Sequence, residues 1–220
     1  MSYYPINLNL QARAVLVVGG GNVAQGKVEQ LVKTGAHIFL VSPELTAHLS
    51  AIADSGIIRY RRGKFSPDDL NAMMLVISAT NCQTTNEMVA QSAAERGLLC
   101  NIVDQPALCN FITPAVVERG RLQISISTGG GSPSLAQRVK REVAALINED
   151  YGDLLDIVAA LRSEAHSLIP DYEGRRDLLR TFVESEALEL LREGRREEAE
   201  HLARKMLTES ACQHFAAMTI

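Results

Sequence analysis

The sequence lacks an excess of positive charge, a paired cysteine motif and a long apolar run. Its net charge of −4 gives no reason to expect binding to nucleic acid. No apolar run is long enough to cross a membrane, and the first residues lack the basic and apolar segments of a secretory signal, so we expect a cytoplasmic protein. The four cysteines form no Cys-x-x-Cys pair, which favours reduced thiols over a zinc site. No metal centre is therefore predicted.

The feature that organises the chain is a glycine-rich junction near its start. An apolar run at 15–18 ends in three glycines, and an amphipathic segment with Val23, Val28, Leu31 and Val32 on one face follows at once. This pattern predicts a strand, a tight turn and a helix. Hydrophobic residues make up 46% of the 220 residues, so a core of normal size can form around such a unit.

The spacing of the small residues at this junction is that of dinucleotide-binding folds. Gly19, Gly21 and Ala24 match the pattern Gly-x-Gly-x-x-Ala. The first glycine allows the tight turn, the second lets the backbone approach a pyrophosphate, and the alanine lets the helix pack closely on the strand. The N–H groups that open the helix, with Asn22 and Val23, would then contact the phosphates. The alternative is a glycine turn that binds nothing.

The second strand bears on the choice of cofactor. A strand at 37–41 is followed by Ser42, Pro43 and Glu44, whereas many NAD-binding proteins place an acidic residue at this tip to hold the ribose hydroxyls. We include Pro43 and Glu44 among the cofactor contacts. Because no arginine follows the strand directly, we expect NAD rather than NADP.

Two later strands should end at the same edge of the sheet. A strand at 74–78 leads to Thr80 and Asn81, and a strand at 98–103 leads to Asp104. Ligands bind at the carboxyl ends of parallel strands, so Thr80 and Asn81 are candidate cofactor contacts, with an ordinary polar turn as the alternative. Asp104 would face the same crevice.

The order of elements predicts an α/β fold with a Rossmann-like, doubly wound parallel sheet, a central dimerisation region and a small C-terminal helical domain. We assign these three parts to residues 1–113, 114–150 and 151–220. The other predicted elements are strands at 57–60, 111–114 and 122–127, a turn at 118–121, helices at 45–53, 85–96 and 133–148, one amphipathic helix over 178–191, and a loose end from Cys212.

A second glycine loop precedes the helix predicted at 133–148. Ser132 is a good N-cap residue and Pro133 a good first helical residue. Glycines, a helix N-terminus and the nearby Arg138 suit an anionic ligand. An ordinary capped helix with a solvated basic face is the alternative.

Six motifs together resemble one family, and they cover about residues 1 to 150. They are Pro5-Ile6, Val17-Val-Gly-Gly-Gly-Asn-Val-Ala24, Ser78-Ala-Thr80, Asn101-Ile-Val-Asp104, Phe111-Ile-Thr-Pro-Ala115 and Ser125-Ile-Ser-Thr-Gly-Gly-Gly-Ser-Pro-Ser-Leu-Ala136. In their order and spacing the chain resembles the precorrin-2 dehydrogenase/sirohydrochlorin ferrochelatase family, the N-terminal module of siroheme synthase and its free-standing relatives. The resemblance implies an NAD-binding homodimer that oxidises precorrin-2 to sirohydrochlorin in siroheme biosynthesis. Some members then insert ferrous iron.

The resemblance also implies roles for particular residues. The aspartate that matches Asp104 serves the family as the group that takes the proton in the oxidation, or as a base in metal chelation. The alternative is that Asp104 only shapes the turn at 103–106. Precorrin-2 is a flexible tetrapyrrole with many carboxylates, and cations with N–H donors could bind it. The candidate substrate contacts are therefore Ser127, Thr128, Gly129, Gly130, Ser132 and Arg138.

The chain departs from the family pattern at several positions, and two other classes of function fit the first glycine loop. The family often has a basic pair where this chain has Gly26-Lys27, and an aspartate where it has Asn110. One alternative is a regulatory module, which would bind NAD but catalyse no reaction. An unrelated NAD-dependent dehydrogenase would oxidise a small alcohol or acid. The second glycine loop argues against both.

Overall fold

The computed structural model describes residues 3–217, with side chains up to residue 212. The chain divides into two compact units, Met1–Thr113 and Pro114–Ile220. The helices and strands are β1 (Ala14–Val18), α1 (Asn22–Val32), β2 (His37–Ser42), α2 (Ala47–Asp54), β3 (Arg59–Arg62), β4 (Leu75–Ser78), α3 (Gln83–Glu95), β5 (Leu99–Ile102), β6 (Ala115–Arg119), β7 (Leu122–Ile126), α4 (Pro133–Leu146), α5 (Asp150–Leu168), α6 (Tyr172–Val183), α7 (Ala187–Arg192) and α8 (Arg196–Ala217). Two short 3₁₀ turns cover Pro67–Leu70 and Pro106–Leu108.

The first unit is built on one parallel sheet with the strand order β3-β2-β1-β4-β5. The central strand β1 pairs with β2 on one side and with β4 on the other, so Val15 lies between Ile38 and Leu75. The strand order reverses between β1 and β4, and ligands bind at the carboxyl ends of strands where such a reversal occurs. The predicted Rossmann-like parallel sheet is confirmed.

The central strand is buried on both faces, as its continuous apolar sequence requires. Val15 and Val17 belong to the core cluster that includes residues of α1 and α2. Leu16 and Val18 belong to the cluster on the opposite face, which includes residues of α3. The alternation follows from the two-residue period of a strand, and it holds the glycine loop at the end of β1 between two packed layers.

The buried face of α1 differs from the predicted one. Ala24, Val28 and Leu31 are buried, whereas Val23 is 53% exposed and Val32 is 37% exposed. The three buried positions follow the spacing i, i+4, i+7 of one helical face. Val23 lies about 100° away from Ala24 around the helix, so it remains free at the start of the first turn.

The second unit begins with an antiparallel hairpin of β6 and β7, which joins at a two-residue turn. Gly120 in this turn has a φ of +54°, a left-handed conformation that suits glycine. The Arg119 guanidinium donates to the carbonyl oxygens of Ile147 at 2.8 Å and Ala144 at 2.9 Å. It therefore caps the carboxyl end of α4, where the helix dipole favours a cation.

Four helices, α5 to α8, form the rest of the second unit around a separate core. The buried side chains that define it include Leu154, Ile157, Leu161, Leu178, Phe182, Leu190, Leu191, Ala199, Ala203 and Leu207. The predicted C-terminal helical region is thereby confirmed. Within the part of the chain that the structure describes, none of the helices combines the length and the apolar character needed to cross a membrane.

Two predicted strands are displaced. The strand expected at 57–60 is found at Arg59–Arg62, and the one expected at 111–114 is replaced by β6, which begins at Ala115. Pro114 has no N–H to offer a neighbouring strand. The preceding segment is tied instead to the first unit, because the Asn101 side chain donates to the carbonyl oxygen of Phe111 at 3.1 Å. The turn expected at 118–121 narrows accordingly to its last two residues.

The helix expected over 178–191 is two helices, α6 and α7. The Ser185 hydroxyl donates to the carbonyl oxygen of Phe182 at 2.6 Å and accepts from the N–H of Ala187 at 3.3 Å. These short-range hydrogen bonds compete with the helical pattern and end α6. The loose end expected from Cys212 is also wrong for the described backbone, since α8 continues to Ala217.

Candidate functional site

Two glycines of the loop after β1 lie close to backbone oxygen atoms of other segments, and the third faces open space. Gly19 has a φ of +118°, and a Cβ on it would overlap the backbone oxygen of Ala79. A Cβ on Gly20 would overlap the backbone oxygen of Glu44. A Cβ on Gly21 would meet nothing within 4 Å. The first two glycines are therefore required by the chain itself, and the third leaves room for a ligand.

The start of α1 fits the phosphates of a dinucleotide. Gly21 is the N-cap residue and its carbonyl accepts from the N–H of Gln25 at 2.9 Å. No side chain caps the N–H groups of the first turn, and Asn22 and Val23 are exposed there. Ala24 is fully buried, which brings the helix close to the sheet. The residues present thus fit a pyrophosphate.

The loop after β2 lies directly against the glycine loop. The N–H of Thr46 donates to the carbonyl of Gly20 at 2.9 Å, and the Ser42 hydroxyl donates to the carbonyl of Glu44 at 2.7 Å. Pro43 and Glu44 are exposed at this point. The structure therefore brings two of the predicted cofactor residues next to the glycine loop.

No arginine follows β2 directly along the chain, but one reaches its tip from the neighbouring strand. Nε of Arg62 donates to the carbonyl oxygen of Pro43 at 3.2 Å. The pattern of residues after β2 could not reveal this contact, because Arg62 belongs to β3, and the parallel pairing of β2 and β3 places it beside Ser42. A cation and the carboxylate-bearing Glu44 therefore both lie at the tip of β2.

In the turn after β4, the polar groups of Thr80 form hydrogen bonds within the protein. The Thr80 hydroxyl accepts from the N–H of Cys82 at 3.2 Å, and the Thr80 carbonyl accepts from the Asn86 side chain at 3.1 Å. Asn81 is exposed. Hydrogen bonds from Thr84 and Thr85 lower the pKa of the exposed Cys82 thiol to about 7. Thr80 closes the turn into α3 while its backbone borders Gly19.

Asp104 lies just beyond the carboxyl end of β5, exposed and with a φ of +59°. The side chain of Lys27 is near it, since burial lowers the pKa of Lys27 and the Asp104 carboxylate partly offsets that effect. Nζ of Lys27 also donates to the hydroxyl of Thr113 at 3.0 Å. Lys27 is not among the site residues predicted from the sequence. A lysine beside the buried positions Ala24 and Val28 was a signal that could have identified it.

The second glycine loop lies in the second unit. The Thr128 hydroxyl accepts from the N–H of Ser132 at 3.1 Å, and the Ser132 hydroxyl accepts from the N–H of Leu135 at 3.2 Å, so Ser132 is the N-cap of α4 as predicted. Gly129 and Gly130 have φ values of +62° and +83°. Ser127 supports the same turn, because its hydroxyl accepts from the N–H of Gly129.

Arg138 forms an ion pair on the surface of α4. Its Nε lies 2.9 Å from a carboxylate oxygen of Glu142, one helical turn further on, and both side chains are exposed. Exposed pairs of this spacing are weak, so the guanidinium can exchange this partner for another anion. Among the described residues, His, Cys, Asp and Glu side chains nowhere gather in a group of three that could hold a metal ion.

Three family models match successive parts of the chain. Residues 6–115 match a model described as putative NAD(P)-binding. Residues 119–146 match the sirohaem biosynthesis protein central region, and residues 150–207 match the sirohaem synthase dimerisation region.

The chain belongs to the family of the N-terminal module of siroheme synthase.

Membership in this family agrees with the geometry of the glycine loop, and the predicted cofactor, NAD, is confirmed. The model described as the dimerisation region covers α5, α6, α7 and the first part of α8, whereas the dimerisation region predicted from the sequence is 114–150. Which of the two segments joins the subunits stays a prediction.

Curated relatives in the siroheme family support the same assignment. The siroheme synthase of Thioalkalivibrio sulfidiphilus is 38% identical over 207 residues, which are 94% of this chain and 42% of that protein. The siroheme synthase of Xylella fastidiosa is 38% identical over 218 residues, which are 99% of this chain and 46% of that protein. The chain therefore spans less than half the length of these relatives.

One solved structure is matched over the whole length of its own chain. SirC, a precorrin-2 dehydrogenase, has a TM-score of 0.79 and 28% sequence identity to this chain. The match covers 92% of this chain and 100% of SirC. The complete fold of SirC thus corresponds to most of both units described above.

Proposed function

We propose that this protein is an NAD-dependent dehydrogenase that oxidises precorrin-2 to sirohydrochlorin in siroheme biosynthesis. The observation that carries the proposal is the similarity to SirC, a precorrin-2 dehydrogenase, over all of that chain. The siroheme synthases are matched over less than half of their length, so the proposal follows the dehydrogenase rather than the whole of those proteins.

The glycine loop and the start of α1 would hold the cofactor. Gly21 leaves space for the pyrophosphate, and the N–H groups of the first helical turn point toward it. The exposed Glu44 at the tip of β2 would accept hydrogen bonds from a ribose. Bound NAD supplies the acceptor for the hydride that precorrin-2 loses.

Asp104 would take the proton that leaves with the hydride. Its carboxylate is exposed at the edge of the sheet where the glycine loop also ends, and it can accept a proton on an oxygen atom. Lys27 would act as a positioning residue, because its ammonium group attracts the Asp104 carboxylate while Thr113 holds it in place. The same carboxylate could receive pyrrole protons if ferrous iron is inserted afterwards.

The second glycine loop would bind carboxylates of the substrate. Its left-handed glycines and the first turn of α4 present backbone N–H groups, and Arg138 adds a positive charge one turn further along α4. Ser127, Thr128 and Ser132 maintain the conformation of the loop through the hydrogen bonds described above.

Anaerobic incubation of the protein with precorrin-2 and NAD tests the proposal. We expect the absorbance of sirohydrochlorin and of NADH to rise together in equal amounts. Nucleotide binding without turnover would identify a regulatory module, and oxidation of a small alcohol or acid in place of precorrin-2 would identify an unrelated dehydrogenase. Addition of ferrous iron to the product mixture tests the second, ferrochelatase activity.

We further propose that the protein acts as a homodimer in the cytoplasm. The family model for dimerisation supports a second copy as partner. All four cysteines are free thiols, which suits a reducing compartment.

A further inference from the structure

The tip of β2 carries a cation that the chemistry of NAD does not require. β2 ends at Ser42, and its parallel neighbour β3 ends beside it at Arg62. The Tyr60 hydroxyl donates to the carbonyl of Ser42 at 2.9 Å, and the N–H of Gly63 donates to the same oxygen at 3.1 Å. The end of β3 is thus tied to the tip of β2, and Arg62 reaches across to the carbonyl of Pro43.

The direction of this side chain follows from the period of the strand. Arg59 and Arg61 share one face of β3, where Arg59 lies over the ring of Phe39 and Arg61 pairs with the Asp69 carboxylate. Arg62 leaves the strand on the opposite face. That face also carries Tyr60, which packs against the core that includes α1 and α2.

The guanidinium of Arg62 keeps most of its hydrogen-bond donors unused within the described part of the chain. Its Nε is used by Pro43, and no carboxylate pairs with its guanidinium among the residues that the structure describes. The two terminal nitrogen atoms remain available in an exposed side chain. A guanidinium in this state can bind a phosphate through two parallel hydrogen bonds.

The segment that Arg62 contacts lies against the glycine loop. The carbonyl of Glu44 lies against Gly20 and the N–H of Thr46 donates to Gly20, so the segment that Arg62 contacts borders the dinucleotide loop. In dinucleotide-binding folds an acidic side chain at this tip accepts from the ribose 2′-hydroxyl, and an arginine nearby accommodates a 2′-phosphate. This chain places both kinds of side chain there.

We propose that Arg62 recognises the 2′-phosphate of NADP, so that the nucleotide site accepts NADP as well as NAD. Glu44 serves the free ribose of NAD, and Arg62 compensates the repulsion that a 2′-phosphate meets from that carboxylate. The inference rests on the nucleotide site of the proposed dehydrogenase and is independent of its substrate. Arg62 would thus determine cofactor specificity although it lies 20 positions beyond Ser42, the last residue of the strand tip that it serves.

Calorimetric titration of the full chain with NAD and with NADP tests this inference. In the unmodified protein we expect NADP to bind within about tenfold of NAD, since one guanidinium–phosphate pair offsets one unfavourable carboxylate. In Arg62→Ala the ratio of NAD to NADP affinity should rise by about tenfold or more, because the charge-assisted hydrogen bonds are lost. Arg62→Lys keeps the charge without the forked geometry and should fall between the two.

Arg59→Ala is the matched control, because it removes the same group from the same strand on the face opposite Arg62. It should leave the affinity ratio unchanged. Equal losses of NAD and NADP affinity in Arg62→Ala would overturn the inference, since Arg62 would then only support the β2 tip. Binding of NAD but not NADP by the unmodified protein would overturn the inference and leave the dehydrogenase proposal intact. Binding of neither nucleotide would overturn both.

Discussion

At the scale of single residues, the backbone of Asp104 determines how its role can be tested. A φ of +59° is unusual outside glycine, and asparagine and aspartate adopt it more readily than other residues. Asp104→Asn therefore keeps the turn and removes the base, whereas Asp104→Ala would also strain the backbone. We expect Asp104→Asn to fold normally, to bind NAD, and to lose about a hundredfold or more of its dehydrogenase rate, the usual contribution of a positioned base.

Steady-state rates with precorrin-2, together with calorimetry for NAD, check this prediction. A rate close to that of the unmodified protein would make Asp104 a structural turn residue. Lys27→Met serves as a comparison: if Lys27 positions the carboxylate through charge, this variant should lose dehydrogenase rate at unchanged NAD affinity. Lys27→Arg keeps the charge and should retain most of that rate.

Cys82 provides a pH-dependent prediction at the same edge of the sheet. Its pKa is about 7 because Thr84 and Thr85 hydrogen-bond to the thiolate, whereas burial raises the pKa of Cys100 to about 11. The thiolate is the reactive form, so alkylation of Cys82 by iodoacetamide should speed up as the pH rises and reach half of its maximal rate near pH 7. Cys100 should resist alkylation throughout this range.

Mass spectrometry of the labelled peptides measures both rates. The labelled peptide that disappears in Cys82→Ser is the one that contains Cys82. Thr84→Val should raise the pH at which alkylation is half-maximal, because it removes the largest contribution to the lowered pKa of Cys82. A midpoint near 9.0, the ordinary value for a thiol, would contradict the prediction.

At the scale of one element, two neighbouring glycines of the loop after β1 have different roles. Gly20 is needed for folding, and Gly21 is expected to be needed for nucleotide binding. Gly20→Ala places a Cβ on the backbone oxygen of Glu44, and the overlap should lower the free energy of unfolding by more than about 2 kcal/mol. Gly21→Asn has open space on that side and keeps an N-cap residue, so its stability should change by less than about 1 kcal/mol. Its side chain would nevertheless fill the space of the pyrophosphate.

Chemical denaturation and calorimetry with NAD distinguish the two variants. Gly21→Asn should remain stable and lose nucleotide affinity, which is the reverse of a simple folding defect. Normal NAD binding by Gly21→Asn would show that the nucleotide does not approach this loop.

At the scale of the whole molecule, α4 carries apolar surface that its own unit does not cover. Leu135 is 51% exposed and Leu146 is 74% exposed, and Val139 and Val143 lie between them on one stripe. Ala136 is the buried residue of this helix. A stripe of this kind is typical of an interface between proteins, and we expect a stable dimer at micromolar concentration.

Light scattering of two sets of variants tests which segment joins the subunits. Leu135→Glu and Leu146→Glu should weaken the dimer if the 114–150 segment forms the interface. Leu168→Glu and Val183→Glu alter exposed apolar residues of α5 and α6 and are the matched pair for the 150–207 segment. A monomeric unmodified protein at micromolar concentration would contradict the dimer proposal altogether.

Taken as a whole, the local features of this protein follow from its sequence. The run at 15–18, the three glycines and the buried Ala24 specify strand, turn and helix because each depends on neighbours a few residues away. Ser132 and Pro133 start α4 for the same reason. The exceptions are also local. Ser185 divides a helix through two side-chain hydrogen bonds, and Pro114 delays a strand because it has no N–H to donate. A periodic pattern of apolar residues registers neither effect.

Only the tertiary structure decided which distant residues share the site. Arg62 reaches Pro43, and Lys27 reaches Thr113, because parallel pairing and helix packing join segments far apart along the chain. Gly20 is obligatory because Glu44 lies against it, a contact that no spacing of glycines implies. Sequence periodicity specifies which face of an element is apolar. The neighbour of each polar side chain depends on strand order, and that order is set by the packing of the complete sheet.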